Sequence, residues 1–433
     1  MADFPFDFHV VVVGAGLVGL TAAILLRKAG YRVTVLERDV ELREIGAGIQ
    51  LPVNSCRVLR DAGVLGRVRD RAARPKAIVL RSYRNGELLR EMNLDPYTQD
   101  KYGLPYLVIH RADLRKILYD EAVARGAHVR LAVTVDGQAS DFPNGVIRFS
   151  GSQEELRADL VVGADGPQSM CRAALLQRPN NPRPTGVTVV RIVVPVSAIT
   201  RDADLHDLVS PPSVQTWLGP RSLAICYTLK DAFNIVLTRP ATQDEVFIGP
   251  RPENVEQLRA FFQNWDPKMR RLLDIADNFN KWSLLEVDEP PASFVHPGGK
   301  FVLAGDSAHA TLPYLAQGAA MGFESAAVLS HLLAEARNPS EIPHLLHLYD
   351  SVRRPRTNLV IRASKRTGEI WQLPDGPLQV VRDRQFVEDV PPSVGYPNML
   401  DDPVFQQWLF GFDARECVRV QRECGRYNSH SHL

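Results

Sequence analysis

Apolar residues along this chain follow two rhythms, and each predicts a different element. His9 to Val13 is a short unbroken apolar run, the pattern of a strand buried on both faces of a parallel sheet. Leu17 to Lys28 has helical spacing and stops at Gly30, a residue suited to a helix end. Arg32 to Leu36 is a second strand-like run, closed by Glu37. The same texture returns at Leu160 to Val162 and at Phe301 to Ala304, each soon followed by an acid and a glycine, Asp165-Gly166 and Gly305-Asp306. "KAIVLRSYRNGELLREMNL" alternates with period two about Asn85-Gly86 and predicts a hairpin. "TGVTVVRIVVPVSAI", "SVQTWLG", "SLAICYTL" and "AFNIVLTRP" predict strands of a mainly antiparallel sheet. Helices are predicted from about Asn54, from His110 or Arg111, over 254–264 and 267–276, from near Gln317, and over 341–370 with a kink near Pro355. The proline-bearing stretch after 372 predicts an irregular surface segment.

Together these elements predict an α/β protein: a Rossmann-like βαβ domain interleaved with a mainly antiparallel β-sheet domain, plus C-terminal helices. The nucleotide-binding part is expected from residues 1–75, 106–183 and 297–371, the substrate part from 76–105 and 184–296, and a surface extension from 372–433. A length of 433 residues allows about three domains of ordinary size. Composition is that of a soluble globular protein, with 45% hydrophobic and 23% charged residues. The net charge of +1 gives no reason to expect nucleic acid or an acidic membrane as partner. The apolar start of the chain lacks a basic flank, carries Asp3 and Asp7, and is broken by glycines, so neither a signal peptide nor a membrane span is expected. Cys56, Cys171, Cys226, Cys417 and Cys424 are scattered without metal spacing, which predicts no metal site and a reduced, cytoplasmic setting.

The first βαβ unit carries specific chemistry. Gly14-x-Gly16-x-x-Gly19 links strand to helix. Gly14 permits the tight turn, Gly16 lets backbone approach a pyrophosphate, and Gly19 lets helix and strand pack closely. Unpaired N–H groups at the helix start favour that anion. Glu37, ending the second strand, is placed to accept hydrogen bonds from an adenosine ribose. An acid there rather than a base favours NAD or FAD over NADP at this site. Arg38 beside it and Gly48 in the glycine-containing loop that follows are further cofactor-side candidates.

A simple dehydrogenase would continue with more βαβ units, and this chain does not. With its "RADLVVGADGPQSMCR", "HRADL", "GDSAHATLPYLAQGAAMG" and "DPVFQQWLFGFDA", it resembles the FAD-dependent aromatic hydroxylases of the p-hydroxybenzoate hydroxylase type. The pattern is nearest to salicylate hydroxylase and fungal natural-product monooxygenases. The resemblance implies FAD as cofactor and NADH or NADPH as co-substrate. It implies O2 activation through a flavin C4a-hydroperoxide, whose distal oxygen hydroxylates a phenolic or fused aromatic substrate. It assigns Glu37 to the adenosine ribose, Arg111 to FAD, Asp306 to the ribityl chain, and the fingerprint around Asp165 to FAD and the pyridine nucleotide. Where many relatives read GDAAH and GQGxNxG, this chain has Gly305-Asp-Ser-Ala-His and Ala316-Gln-Gly-Ala-Ala.

Backbone N–H groups at the helix start by Gln317 would face the negative charge of a reduced flavin, and small residues at Gly318, Ala319 and Ala320 allow the ring to come close. For catalysis two residues stand out. Arg191 sits in an apolar strand, where a charge costs free energy unless used or paired. It is either an edge-strand arginine reaching solvent or a carboxylate, or a group facing the flavin that binds a substrate phenolate or carboxylate. Tyr227 either packs in the core or holds or deprotonates the phenol. Competing readings are a flavin-dependent dehydrogenase or reductase without oxygen insertion, and a non-catalytic binding protein on the same fold. The small-molecule substrate, a monomer or homodimer, and the absence of nucleic-acid and membrane partners complete the expectation.

Overall fold

The structure, a computed structural model, describes residues 7–42, 48–242, 245, 247, 249–276, 279–287, 290–388 and 394–430, the last seven of these by backbone alone. A five-stranded sheet has the order Phe301–Leu303, Leu160–Gly163, His9–Val13, Arg32–Leu36, His128–Arg130, parallel throughout. Its central strand is buried at every position, as an unbroken valine run requires. Helix Leu17–Lys28 packs on helix Gly318–Leu333. Val18 makes that approach close: a Cβ on Gly322 would lie 2.3 Å from its side chain, and one on Gly305 3.0 Å. Apart from the strand His128–Arg130, which the sequence pattern did not predict, these strands and helix starts lie within a residue or two of the sequence expectation.

The second sheet has eight strands, in the order Arg251–Pro252, Asn280–Glu286, Arg183–Pro195, Ala232–Pro240, Ser222–Thr228, Val214–Gly219, Ala77–Ser82, Leu88–Asn93. The expected hairpin 77–93 is thus its edge. Pairing is antiparallel except between Val214–Gly219 and Ala77–Ser82. One face of this sheet presents Ile192, Trp217, Ala224, Phe233 and Ile235 to helices Val255–Phe261 and Pro267–Asp274, forming its own core with Phe262 and Met269. Trp217 is fully buried, and its Nε1–H donates to Asp266, which also caps the second of these helices. The other face, carrying Tyr227, Val214 and Leu223, belongs to the core of the parallel sheet.

Ile342–Trp371 is one helix that continues through Pro355, within a residue of the expected span. One expectation is corrected. The segment after 372 is not irregular: it contains helices Pro377–Val387, Pro403–Phe410 and Ala414–His430, and Phe386, Leu409, Phe410 and Val418 are buried. Its prolines mislead because Pro377 and Pro403 stand at helix starts, where a missing N–H costs nothing. Asp402 caps the second of these helices by accepting from Val404 and Phe405 N–H. Among the described residues no helix is long and apolar enough to cross a membrane.

Candidate active site

The carboxyl ends of the parallel strands bring the sequence motifs to one edge, where open α/β sheets bind ligands. The three motif glycines meet different neighbours. Gly14 has φ +105°, and a Cβ there would lie 2.5 Å from Ala164 O. On Gly19 a Cβ would sit 2.0 Å from Gly14 O, whereas at Gly16 it would meet nothing within 4 Å. The first and third therefore hold the turn, and the second opens onto free space at a helix start that no side chain caps. Glu37 is buried beside them. Its Oε2 accepts from Ala15 N–H (2.9 Å) and from Arg115 (3.0 Å), and its Oε1 accepts from Asp39 N–H (3.1 Å). Among the described residues three of about four acceptor sites are thus used and one remains on Oε1. Arg115 also donates to Ala15 O, so it fixes both the loop and the acid. Arg38 is exposed, and its guanidinium lies 3.9 Å from Asp39.

The middle fingerprint braces the site internally. Asp159 accepts from His9 N–H at 2.7 Å, at the start of the central strand. Asp165 accepts from Ser169 Oγ–H and from Cys171 N–H, while Ser169 Oγ accepts from Arg172 N–H and caps the next helix. The Arg172 guanidinium reaches the carbonyl of Ala308 at 3.2 Å, tying this helix to the loop that carries Asp306. Burial raises the Asp165 carboxyl above its ordinary value.

Asp306 is different. It opens the short helix Asp306–His309, is half-buried, and accepts no hydrogen bond among the described residues. Burial raises its pKa, and Arg111, first residue of helix Arg111–Ala124, lowers it in part. Downstream, helix Gly318–Leu333 starts at Gln317 with no side-chain cap, and a Cβ on Gly318 would touch only Thr311, at 3.8 Å. Ala319, in the first turn, is half-buried.

Opposed residues across a sheet share a face. Tyr227 lies opposite Asn234, Asn234 opposite Val193, and Arg191 opposite Val236. Arg191, Tyr227 and Asn234 therefore share the face turned to the parallel sheet. Arg191 lies on an interior strand, paired on both sides, so the edge-strand alternative is excluded. It is half-buried and stacks over Trp282, 5.1 Å from the ring centre. Gly48 reaches this face from the other side: its N–H donates to Asn234 Oδ1 at 3.0 Å, and a Cβ on it would lie 2.5 Å from the Tyr227 ring. Gly48 pairs with His110, and Arg111 follows, so one short ribbon links Tyr227 and Asn234 to the neighbour of Asp306. Tyr106 lies on the same side, is buried, and donates to Gln50 at 2.6 Å. Burial pushes the Tyr227 hydroxyl well up, against a smaller opposing pull from Arg191. At neutral pH it is a neutral phenol that donates or accepts a hydrogen bond, not a base.

Sequence reading missed Arg115, Asn234 and a fully buried set around Glu324. That carboxylate accepts from Arg353 (2.8 Å), from Arg356 (2.8 and 2.9 Å) and from Asn54 (2.8 Å). Burial would raise its pKa, but Arg356 and Arg353 outweigh that and hold it low. The argument applied to Arg191 would have found Glu324 in "GFESAAVL" and Asn234 in "AFNIVL": a polar group in an apolar run needs a use.

The chain belongs to the FAD binding domain family, which it matches over residues 7–364. Its relatives place it among the FAD-dependent monooxygenases. It is 36% identical over 419 residues to FAD-dependent monooxygenase OpS4 of Beauveria bassiana (strain ARSEF 2860), covering 96% of this chain and 97% of that one. It is 36% identical over 414 residues to 3-amino-4-hydroxybenzoate 2-monooxygenase PtnB3 of Streptomyces platensis, covering 94% and 96%. A crystal structure of CtdE with FAD and substrate 4 superposes with a TM-score of 0.81 at 18% identity, over 96% of this chain and 98% of that one. A salicylate hydroxylase substrate complex superposes with a TM-score of 0.75 at 23% identity, over 95% and 97%. The residues present fit FAD: an open Gly16, an Asp306 carboxylate that accepts no hydrogen bond among the described residues, and two helix starts without side-chain caps offer a dinucleotide space, an acceptor and backbone donors.

Proposed function

We propose that this protein uses NADH or NADPH and O2 to hydroxylate a phenolic or fused aromatic compound. Bound FAD would supply the hard chemistry, activating oxygen and delivering one atom of it to the ring. The chain's own groups bind and orient. Gly16 and the Leu17 helix start take the pyrophosphate, and Glu37, held by Arg115, takes the adenosine ribose. Asp306 accepts from the ribityl hydroxyls beside Arg111, and the Gly318-Ala319 N–H groups face the ring. Asp165 holds the neighbouring turn. Arg191 pairs with a phenolate or carboxylate of the substrate, with its planar guanidinium fixed on Trp282. Tyr227, neutral, hydrogen-bonds the substrate hydroxyl rather than deprotonating it.

The observation that carries this reading is the Gly48 contact, which brings the Arg191–Tyr227–Asn234 face to the ribbon leading to Asp306. Relatives named for hydroxybenzoate hydroxylation support the substrate class. We divide the chain into a nucleotide-binding domain (1–75, 106–183, 297–371) and a substrate domain (76–105, 184–296), and take it as a cytoplasmic monomer or homodimer. The test is a panel of phenolic and fused aromatic acids incubated with NADH or NADPH in air, scored by mass gain of one oxygen and coupled cofactor loss. Turnover that proceeds equally without oxygen would replace hydroxylation by a reductase reading.

A further inference from the structure

The loop from Asp306 to Gly318 carries both the Asp306 carboxylate, which accepts no hydrogen bond among the described residues, and the helix start without a side-chain cap, and a single buried hub holds its two ends. On one side, the Arg353 Nε–H donates to Ser325 Oγ at 3.1 Å, and Ser325 Oγ shares a 2.8 Å hydrogen bond with His309 at the end of the Asp306 helix. On the other side, Arg353 Nη1 donates to Glu324 at 2.8 Å. Glu324 accepts from Asn54 Nδ2 at 2.8 Å, and the same nitrogen donates to Gln317 Oε1 at 2.9 Å. Polarity along this second arm is determined. Glu324 is ionised between two arginines and can only accept, so Asn54 must turn its NH2 group that way. The remaining N–H of that group then demands the carbonyl oxygen of Gln317. The amide of Gln317, fully buried, is thereby left with Nε2 unpartnered among the described residues. Arg353, Ser325, Glu324, Asn54 and Gln317 are all buried. The arginine joins both arms, while Asn54 Oδ1, His309 Nδ1 and Gln317 Nε2 make no hydrogen bond among the described residues.

We propose that Arg353, Ser325, Glu324 and Asn54 are positioning residues that set the spacing between Asp306 and the Gln317 helix start, the Ser325–His309 arm governing retention of FAD and the Glu324–Asn54–Gln317 arm governing the bound flavin's redox balance. The inference rests on the FAD-dependent reading above. Cutting the first arm frees the Asp306 end and weakens the grip on the ribityl chain. Cutting the second lets the helix start retreat from the ring, where its partial positive charge favours the anionic reduced form.

The test uses full-length holoprotein and reads binding and potential rather than turnover. Ser325→Ala should raise the FAD dissociation constant at least tenfold by flavin fluorescence, with the midpoint potential kept, and Ser325→Thr, which retains the hydroxyl, should restore binding. Asn54→Leu should weaken reduced relative to oxidised FAD at least tenfold, a fall of about 30 mV for a two-electron couple. Gln317→Leu cuts the same arm from its other end and should give the same shift. If Ser325→Ala keeps FAD as tightly as the parent, or if Asn54→Leu and Gln317→Leu change both oxidation states equally or not at all, the hub is only core packing. If the parent itself takes up no FAD, the functional reading fails instead.

Discussion

Replacing Gly48 by alanine tests the contact on which the catalytic reading depends. The new Cβ would lie 2.5 Å from Tyr227 Cε2 and 2.8 Å from its hydroxyl oxygen, whereas ordinary contact begins near 3.4 Å. The ring must therefore retreat by about 1 Å or the 48–51 strand must lift off the large sheet. Tyr227 is only 3% exposed, so it has little room, and the Gly48 bond to Asn234 opposes lifting. Overpacking of this kind costs about 1–3 kcal/mol. Urea unfolding of Gly48→Ala should show that loss at unchanged m, together with a drop in hydroxylated product. The decisive comparison is a double-mutant cycle with Tyr227→Ala. Removing the ring removes the clash, so the Gly48→Ala penalty should shrink by about 1–3 kcal/mol when Tyr227→Ala is already in place. Tyr227→Phe should not relieve it, because the Cε2 contact remains. A penalty of the same size in both backgrounds would refute the contact and with it the placement of Tyr227 beside the cofactor ribbon.

Other consequences can be checked singly. Asp306→Ala should lose FAD on dialysis, and a variant that stays fully yellow contradicts the ribityl assignment. Arg191→Ala should keep FAD but suppress product, most sharply for substrates bearing a carboxylate; undiminished product leaves the Trp282 stack as a structural role. His309 is buried beside Arg353, and burial first, then Arg353, lowers its pKa from 6.5 to about 3. The native state thus holds it neutral, while the unfolded chain protonates it below about 6.5. Its contribution to stability is full above that pH and declines as pH falls toward about 3, by up to about 1.4 kcal/mol per unit. His309→Gln should flatten the acid limb of a pH series of unfolding free energies, and an identical slope in both proteins argues against a buried neutral imidazole.

The nucleotide-binding half was readable because parallel strands buried on both faces leave unbroken apolar runs, and because Gly14, Gly16, Gly19 and Glu37 occupy fixed places after them. The carboxyl end of each run pointed correctly to one edge of the sheet. Cross-strand partners are another matter. That Asn234 lies opposite Tyr227, and that Gly48 fills the gap above that ring, follows from register and from a contact spanning 186 residues, which no local pattern encodes. The hub at Arg353 joins residues up to 270 apart through side chains whose neighbours in sequence are unremarkable polar or apolar ones. The tail reads as irregular because its prolines look like interruptions, whereas two of them begin helices.

Arg356 donates to the carbonyls of Trp408 and Leu409, and Arg57 to those of Phe410 and Phe412. These arginines come from regions made earlier than the acceptors, which lie at residues 408–412. During synthesis, then, the guanidinium donors beside Glu324 lack these carbonyl acceptors until residues 408–412 have been made. A fragment that stops before residue 408 would carry the whole glycine signature and still leave these donors to water.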